Sequence, residues 1–434
     1  MKFAEWRNWL KKLNWSKRWF VFLILIRPIV DIFYFLKKLS PFLSPLYIVG
    51  VLSFLLVVVS LNSKGLRKSN NSLVDKYFVL LILIISCNVI LLSFIEFSLN
   101  SFGDAIKYLI PFLLFIYLRR FVTSKENLDG LLFTVLLSAI FPITMIVFEI
   151  FVGPISTSAI SMSRGGGVRY EGGYADIMNY AIYLISSFLI LGYFSMDSIK
   201  RNVRTYFNKY FILFLPIFLI GLIKIKHTTT WAVAFMAFAL YSFYKIFNKR
   251  INLPFIFILL FSVVFAQGFI ESNIKPLLAK DIRVMEGEAE IDRSFNGRMI
   301  RWKNAFLVWN EIPVVSKIFG ASTIVLFENL ETIKFEKSNK DITAIPKLFG
   351  GGTHNEYLRI LFLTGFIGLF IYLKILYYFL RKSFHYSKQE RFLILGFLLA
   401  LILYSISTNP FLYQPLIYIF LPVLAYASLP INKK

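Results

Sequence analysis

Apolar runs of about 16–25 residues recur along almost the whole chain, and each is long enough to cross about 30 Å of hydrocarbon as a helix. No other feature constrains the fold as strongly. Lipid offers no partner for backbone N–H and C=O groups, so many such runs in one chain fold as packed spanning helices. The composition agrees, with 57% of the 434 residues hydrophobic and a mean hydropathy of +0.67. The runs place spans at about 19–36, 46–61, 77–95, 104–118, 130–152, 175–193, 210–225, 231–246, 253–270, 355–380, 391–408 and 411–428. The expected fold is all-α and polytopic, with about twelve transmembrane helices. The first run has no small-residue cleavage site after it and reads as a retained span. It contains Arg27 and Asp31, whose spacing predicts an ion pair on one helix face.

The net charge of +24 could suggest nucleic acid as a partner. The distribution excludes it, because no basic stripe is interleaved with aromatics on a polar face. Lys and Arg fall instead in the short loops between apolar runs, where they set membrane orientation. With the N-terminus in the cytoplasm, the loops on that side hold 26 basic residues and the short loops opposite hold 6. Both termini are thus expected to be cytoplasmic. Asn409-Pro410 joins the last two spans as either a turn or a break.

Three regions follow. Residues 1–270 form an N-terminal membrane region with about nine spans, 271–353 a large external loop, and 354–434 a C-terminal region with about three spans. In the loop, Phe295 to Trp309 has the spacing of an amphipathic helix, with Ser294 or Asn296 as its N-cap. The acidic run Glu286, Glu288, Glu290 and Asp292 reads as solvated loop, since no calcium-loop pattern accompanies it. Cys87 is the sole cysteine, so no disulfide and no cysteine metal site forms within the chain. The cytoplasmic segments carry no Walker loop and no GxGxxG turn. At about 8–18 residues each they are too short for a nucleotide-binding domain. No cofactor or metal is expected. An enzyme of this kind would work on the external face, with energy supplied by its substrate.

His354 is the leading chemical candidate. It stands in Gly350-Gly351-Gly352-Thr353-His354-Asn355-Glu356-Tyr357-Leu358, where a long apolar helix begins. Thr353 and Glu356 fit a capping box, which would start the helix there. The glycines allow close backbone approach by a ligand. The positive end of a helix favours a neutral imidazole, able to accept a proton, and also favours a phosphate. Two external arginine pairs are the next candidates: Arg164 and Arg169 in a glycine-rich loop, and Arg298 and Arg301 three apart on one helix face. Positive charge is disfavoured in translocated loops, and arginine binds phosphate through a planar fork of donors. His227, in His227-Thr228-Thr229-Thr230, is read as a cap or interfacial residue. His385 is read as solvated.

At these residues the chain resembles a known family. Thr353-His354-Asn355-Glu356-Tyr357-Leu358, followed by Leu363-Thr364-Gly365-Phe366-Ile367-Gly368-Leu369, is similar to the HN-x-YL…GxxGL signature of the O-antigen polymerase and O-antigen ligase superfamily. Gly297-Arg298, Trp302 and Ile318-Phe319-Gly320 resemble the GR…W…G block of its large periplasmic loop. Arg169 with Gly172 or Gly173 is similar to its earlier periplasmic arginine. One position departs: many members carry Ser-Arg where this chain reads His227-Thr228-Thr229-Thr230-Trp231. The resemblance implies a metal-independent, inverting membrane glycosyltransferase of the bacterial inner membrane, acting on undecaprenyl-diphosphate-linked oligosaccharides in lipopolysaccharide or related polysaccharide biosynthesis. It implies catalytic roles for His354, Arg298 and Arg169. Arg164, Arg301, Asn355, Glu356 and Tyr357 would contact the diphosphate or sugar. The leading expectation is a polysaccharide polymerase, with a chain-length regulator as a further candidate partner. The alternatives are a ligase that transfers the glycan to lipid A-core, and a lipid-linked oligosaccharide flippase. A flippase would need charge lining several spans, and intramembrane charge here is sparse.

Overall fold

The computed structural model describes residues 1–33, 36, 45–62, 73–95, 99–153, 174, 177–196, 201–225, 227–246, 298–326, 354–412 and 414–430. The regular structure among them is helical. In chain order the helices are α1 (Phe3–Lys12), α2 (Trp15–Ile32), α3 (Pro45–Asn62), α4 (Leu73–Ile95), α5 (Leu99–Phe121), α6 (Lys125–Val152), α7 (Ile177–Ser195), α8 (Arg201–Ile225) and α9 (Thr228–Ile246). There follow α10 (Arg298–Glu311), α11 (Val314–Phe319), a 3-10 turn over Ala321–Leu326, α12 (Glu356–Ser383), α13 (Lys388–Ser407) and α14 (Gln414–Ala427). Each expected span but one coincides with a helix. The exception, 253–270, lies outside the described residues, as do the acidic run from Glu286 to Asp292 and the caps proposed at Ser294 and Asn296. The amphipathic helix expected over Phe295 to Trp309 is α10. Pro410–Leu412 form a 3-10 turn that separates the last two spans.

Among the described residues six helices, α4, α6, α7, α8, α12 and α13, contain stretches long and apolar enough to cross a membrane. The protein is an all-α, multi-pass membrane protein. Prolines inside α2, α5, α6, α8 and α14 fit this solvent, since neighbouring helices re-satisfy the backbone groups a proline frees.

The chain forms two compact units. One comprises Met1–Phe141 with Trp302–Lys434. In it α5 packs on α3, α4 and α14, and α12 packs on α4 and α13. Aromatics fill the seams: Phe78 stacks on Phe115 at 3.8 Å, and Phe20 meets Tyr117 and Phe121 edge-on. Short α1 lies on the start of α6, where the Trp6 indole donates to Thr134 (2.9 Å) and Trp9 to Asn127 (3.1 Å). Arg119 ties the ends of three helices together. It pairs with Asp75 at 2.8 Å and donates to the Ser428 carbonyl at 2.6 Å. Arg27 and Asp31 form the expected ion pair, 2.8 Å apart and buried.

The other unit is Pro142–Arg301. Its α7 is buried along its whole length and packs against α8 and α9 around Phe188, which meets Phe211, Phe218 and Tyr241. His227 caps α9 as read from the sequence: its Nδ1 lies 2.7 Å from the Thr230 hydroxyl and accepts from the Thr230 N–H at 3.3 Å.

Candidate functional site

The start of α12 brings four candidates together. Its N-cap is Asn355, whose side-chain oxygen accepts from the Leu358 N–H at 3.0 Å. The sequence reading placed this cap at Thr353, and the structure corrects it. An N-cap at Asn355 makes Glu356 the first helical residue, so it is not placed to reach back to the cap as N3 of a box. Asparagine is at least as good a cap as threonine, so the shift carries no penalty. Thr353 and Gly350 to Gly352 lie outside the described residues.

The new register decides where each side chain goes. Glu356 turns inward, fully buried, and pairs with Arg359 one turn on, the Arg359 Nε donating at 3.1 Å and Nη2 bonding the same oxygen. Arg359 is 1% exposed, and its guanidinium lies over the Tyr108 ring of α5 at 5.4 Å. Glu356 therefore anchors the first turn of α12 in the helix bundle. Asn355 and Tyr357 reach sideways: the Asn355 amide donates to the Ile406 carbonyl at 3.0 Å, and the Tyr357 hydroxyl to the Ile402 carbonyl at 3.4 Å. Both acceptors belong to the last turns of α13, so α12 starts where α13 ends and is clamped to it.

His354 stands directly before this clamped turn, half-buried, with φ 46. It is the single non-glycine residue at positive φ among those described. A left-handed backbone at a residue with a Cβ costs free energy and persists where the surroundings over-determine it. Here the Asn355 cap, the Glu356–Arg359 pair and the α13 carbonyls fix the chain one residue later. The arrangement holds an imidazole at the mouth of a membrane helix, beside the partial positive charge of the helix end.

Arg301 is exposed on α10. Arg298 is the first residue of α10, and its side chain lies outside the described residues, together with Arg164 and Arg169. Among the described residues no cluster of His, Cys, Asp and Glu is grouped to hold a metal ion.

The motif glycines Gly320 and Gly365 meet in a packing junction. α12 kinks at Gly365 (φ 66, ψ −169), and the end of α11 fits against the kink. A Cβ on Gly365 would lie 2.2 Å from the Ile318 carbonyl oxygen. One on Gly320 (φ 119) would lie 2.7 Å from the Leu363 carbonyl oxygen and 2.3 Å from Asn88 Oδ1. Trp309 packs edge-on to Phe362 and Phe366. The two glycine blocks, about forty-five residues apart, are thus two sides of one backbone-to-backbone contact that leaves no room for a side chain.

Sequence reasoning missed two residues here. Arg359, one of the sparse charges inside the apolar runs, has an i,i+3 spacing from Glu356 that marks a pair. Asn88, a lone amide in an apolar run, drew no comment, although a polar side chain at that depth needs partners.

No curated protein matches the chain. Residues 211–373 match the family described as O-antigen ligase. The matched stretch runs from α8 into α12 and holds the α10–α11 block, the Gly365 kink and His354. Through this stretch the chain is similar to the O-antigen polymerase and ligase superfamily.

Proposed function

We propose that the protein is a surface-polysaccharide polymerase. It would be an inverting glycosyltransferase of the inner membrane that joins undecaprenyl-diphosphate-linked glycans on the periplasmic face. The observation that carries this reading is His354, held at positive φ before a clamped helix start inside the matched family stretch. In the proposed reaction the imidazole takes the proton of an acceptor sugar hydroxyl as that oxygen attacks the anomeric carbon from the face opposite the leaving group. The bond from that carbon to the diphosphate breaks, and the carrier-linked diphosphate leaves with the electron pair. Arg169 and Arg298 would neutralise the departing charge, a task that metal ions perform elsewhere, so no metal is required. Arg164, Arg301, Asn355 and Tyr357 would line the approach. Glu356 would support it from beneath through Arg359. The basic loops favour cytoplasmic termini, which would put His354 in the periplasm. A chain-length regulator is a fitting partner for such an enzyme.

The polymerase is preferred to a ligase because the junction where many members carry Ser-Arg reads His227-Thr228-Thr229-Thr230-Trp231 here, without arginine. The test is His354→Ala and Arg298→Ala in cells lacking the native gene, with surface glycan resolved on a gel. Loss of polymerase activity leaves single repeats attached to core. Loss of ligase activity leaves no glycan on core and long chains on the carrier. Unchanged glycan at normal protein level removes both residues from the mechanism.

A further inference from the structure

The loop preceding His354 reads as external from its polarity, but two spanning helices fix the depth of its described part. Helix α12 has 28 residues, and at about 1.5 Å per residue Gly365 lies about 7 Å from its midpoint, on the His354 side. Helix α4 has 23 residues, and Asn88 lies about 6 Å from its midpoint towards Ile95. Gly320 touches both levels at once, being packed against Asn88 and Leu363. A hydrocarbon half-thickness of about 15 Å then places the end of α11 about 8 Å below the membrane surface.

The chemistry of the segment suits that depth. Non-helical backbone is tolerated in the membrane only where its polar groups find protein partners. The Phe319 carbonyl accepts from the Asn88 amide at 2.9 Å, and the Ser322 hydroxyl bonds the Asn88 oxygen. The Gly320 N–H donates to the Ser316 carbonyl at 2.9 Å, and the Gly320 carbonyl accepts from the Thr323 hydroxyl at 2.7 Å. Asn88 thereby caps the end of α11, which accounts for an amide deep in an apolar helix. Lys317 folds back so that its ammonium donates to the Asn310 carbonyl at 2.9 Å, at the end of α10. The outward side chains are apolar: Val314, Val315, Ile318 and Phe319 are 69%, 39%, 36% and 49% exposed.

We propose that Val314–Leu326 is a re-entrant segment. It dips into the leaflet on the His354 side, with Ile318 and Phe319 against lipid hydrocarbon, and is held by Asn88 and the Gly365 kink. The proposal needs α4 and α12 to span the membrane and does not depend on the polymerase reading.

The test is site-directed spin labelling in liposomes. Cys87, the sole cysteine, is replaced by serine, and single cysteines are introduced as Lys303→Cys, Ile318→Cys and Phe319→Cys. Labels at 318 and 319 should show high access to oxygen and low access to a water-soluble nickel chelate. Their labelling by a membrane-impermeant maleimide should be slower than at 303 by about tenfold or more. Fast maleimide labelling with nickel access would place the segment in water. Low access to both oxygen and nickel would place it under protein. Either result overturns the proposal.

Discussion

Among the described residues two acid–arginine pairs have both partners buried, at opposite ends of their helices. In α2 the acid is Asp31, one residue before the helix ends, with Arg27 one turn behind it. In α12 the acid is Glu356, the first helical residue, with Arg359 one turn ahead. A helix carries partial positive charge at its start and partial negative charge at its end. Glu356 is thus stabilised by both its arginine and its helix, whereas Asp31 works against its helix and depends on Arg27. Arg359 is the opposed partner in α12, and Arg27 the favoured one in α2. The two pairs look alike by distance and burial, but a different member of each should be critical.

The largest effect is expected in α12. Glu356→Met leaves Arg359 buried beside a positive helix end, and breaking a buried pair this way costs about 3–5 kcal/mol. Arg359→Met leaves Glu356 with the helix end as partial compensation and should cost about 1 kcal/mol less. The double variant should cost less than the sum of the two, by about 2 kcal/mol, because neither change then strands a charge. Thermal unfolding of the purified protein in detergent measures all three. Equal costs for the two single variants would mean that the helix end carries no weight.

In α2 the order should invert. Arg27→Met strands Asp31 at a negative helix end, whereas Asp31→Asn keeps an acceptor for the arginine and removes the opposition. The expected difference is about 1 kcal/mol, with Arg27→Met the worse. The same unfolding assay reads it. If Asp31→Asn costs as much, the asymmetry between the two helices fails.

The contrast also shows what the sequence could reveal. Arg27 and Asp31 were readable as a pair because a four-residue spacing inside an apolar run has few other solutions. The spans were readable for the same reason, since length and hydropathy are local. Glu356 was misplaced by a local rule: Thr353 and Glu356 satisfy the capping-box spacing, but Asn355 is as good a cap and shifts the helix start by two residues. That shift turns Glu356 from the ligand side to the bundle. The Gly320–Gly365 contact was visible only as two separate motifs, because nothing local says that one backbone lies on the other. His354 was legible as a candidate from its place at a helix start. Its left-handed backbone was not, since it depends on carbonyls of α13 about fifty residues away.

A third pair supplies the lower limit of the comparison. Lys12 is the last residue of α1 and Glu126 lies in the first turn of α6, so both charges sit at the helix ends that favour them. Their charged atoms are 3.5 Å apart, but the side chains are 72% and 58% exposed. Water and salt screen such a pair, and exposed pairs contribute about 0–1 kcal/mol. Lys12→Met should therefore change the unfolding temperature little, by an amount equivalent to about 0.5 kcal/mol or less, and added salt should remove even that. A cost approaching that of Arg27→Met would show that favourable placement at a helix end outweighs burial. The ranking of the two inner pairs would then have to be rebuilt on position alone.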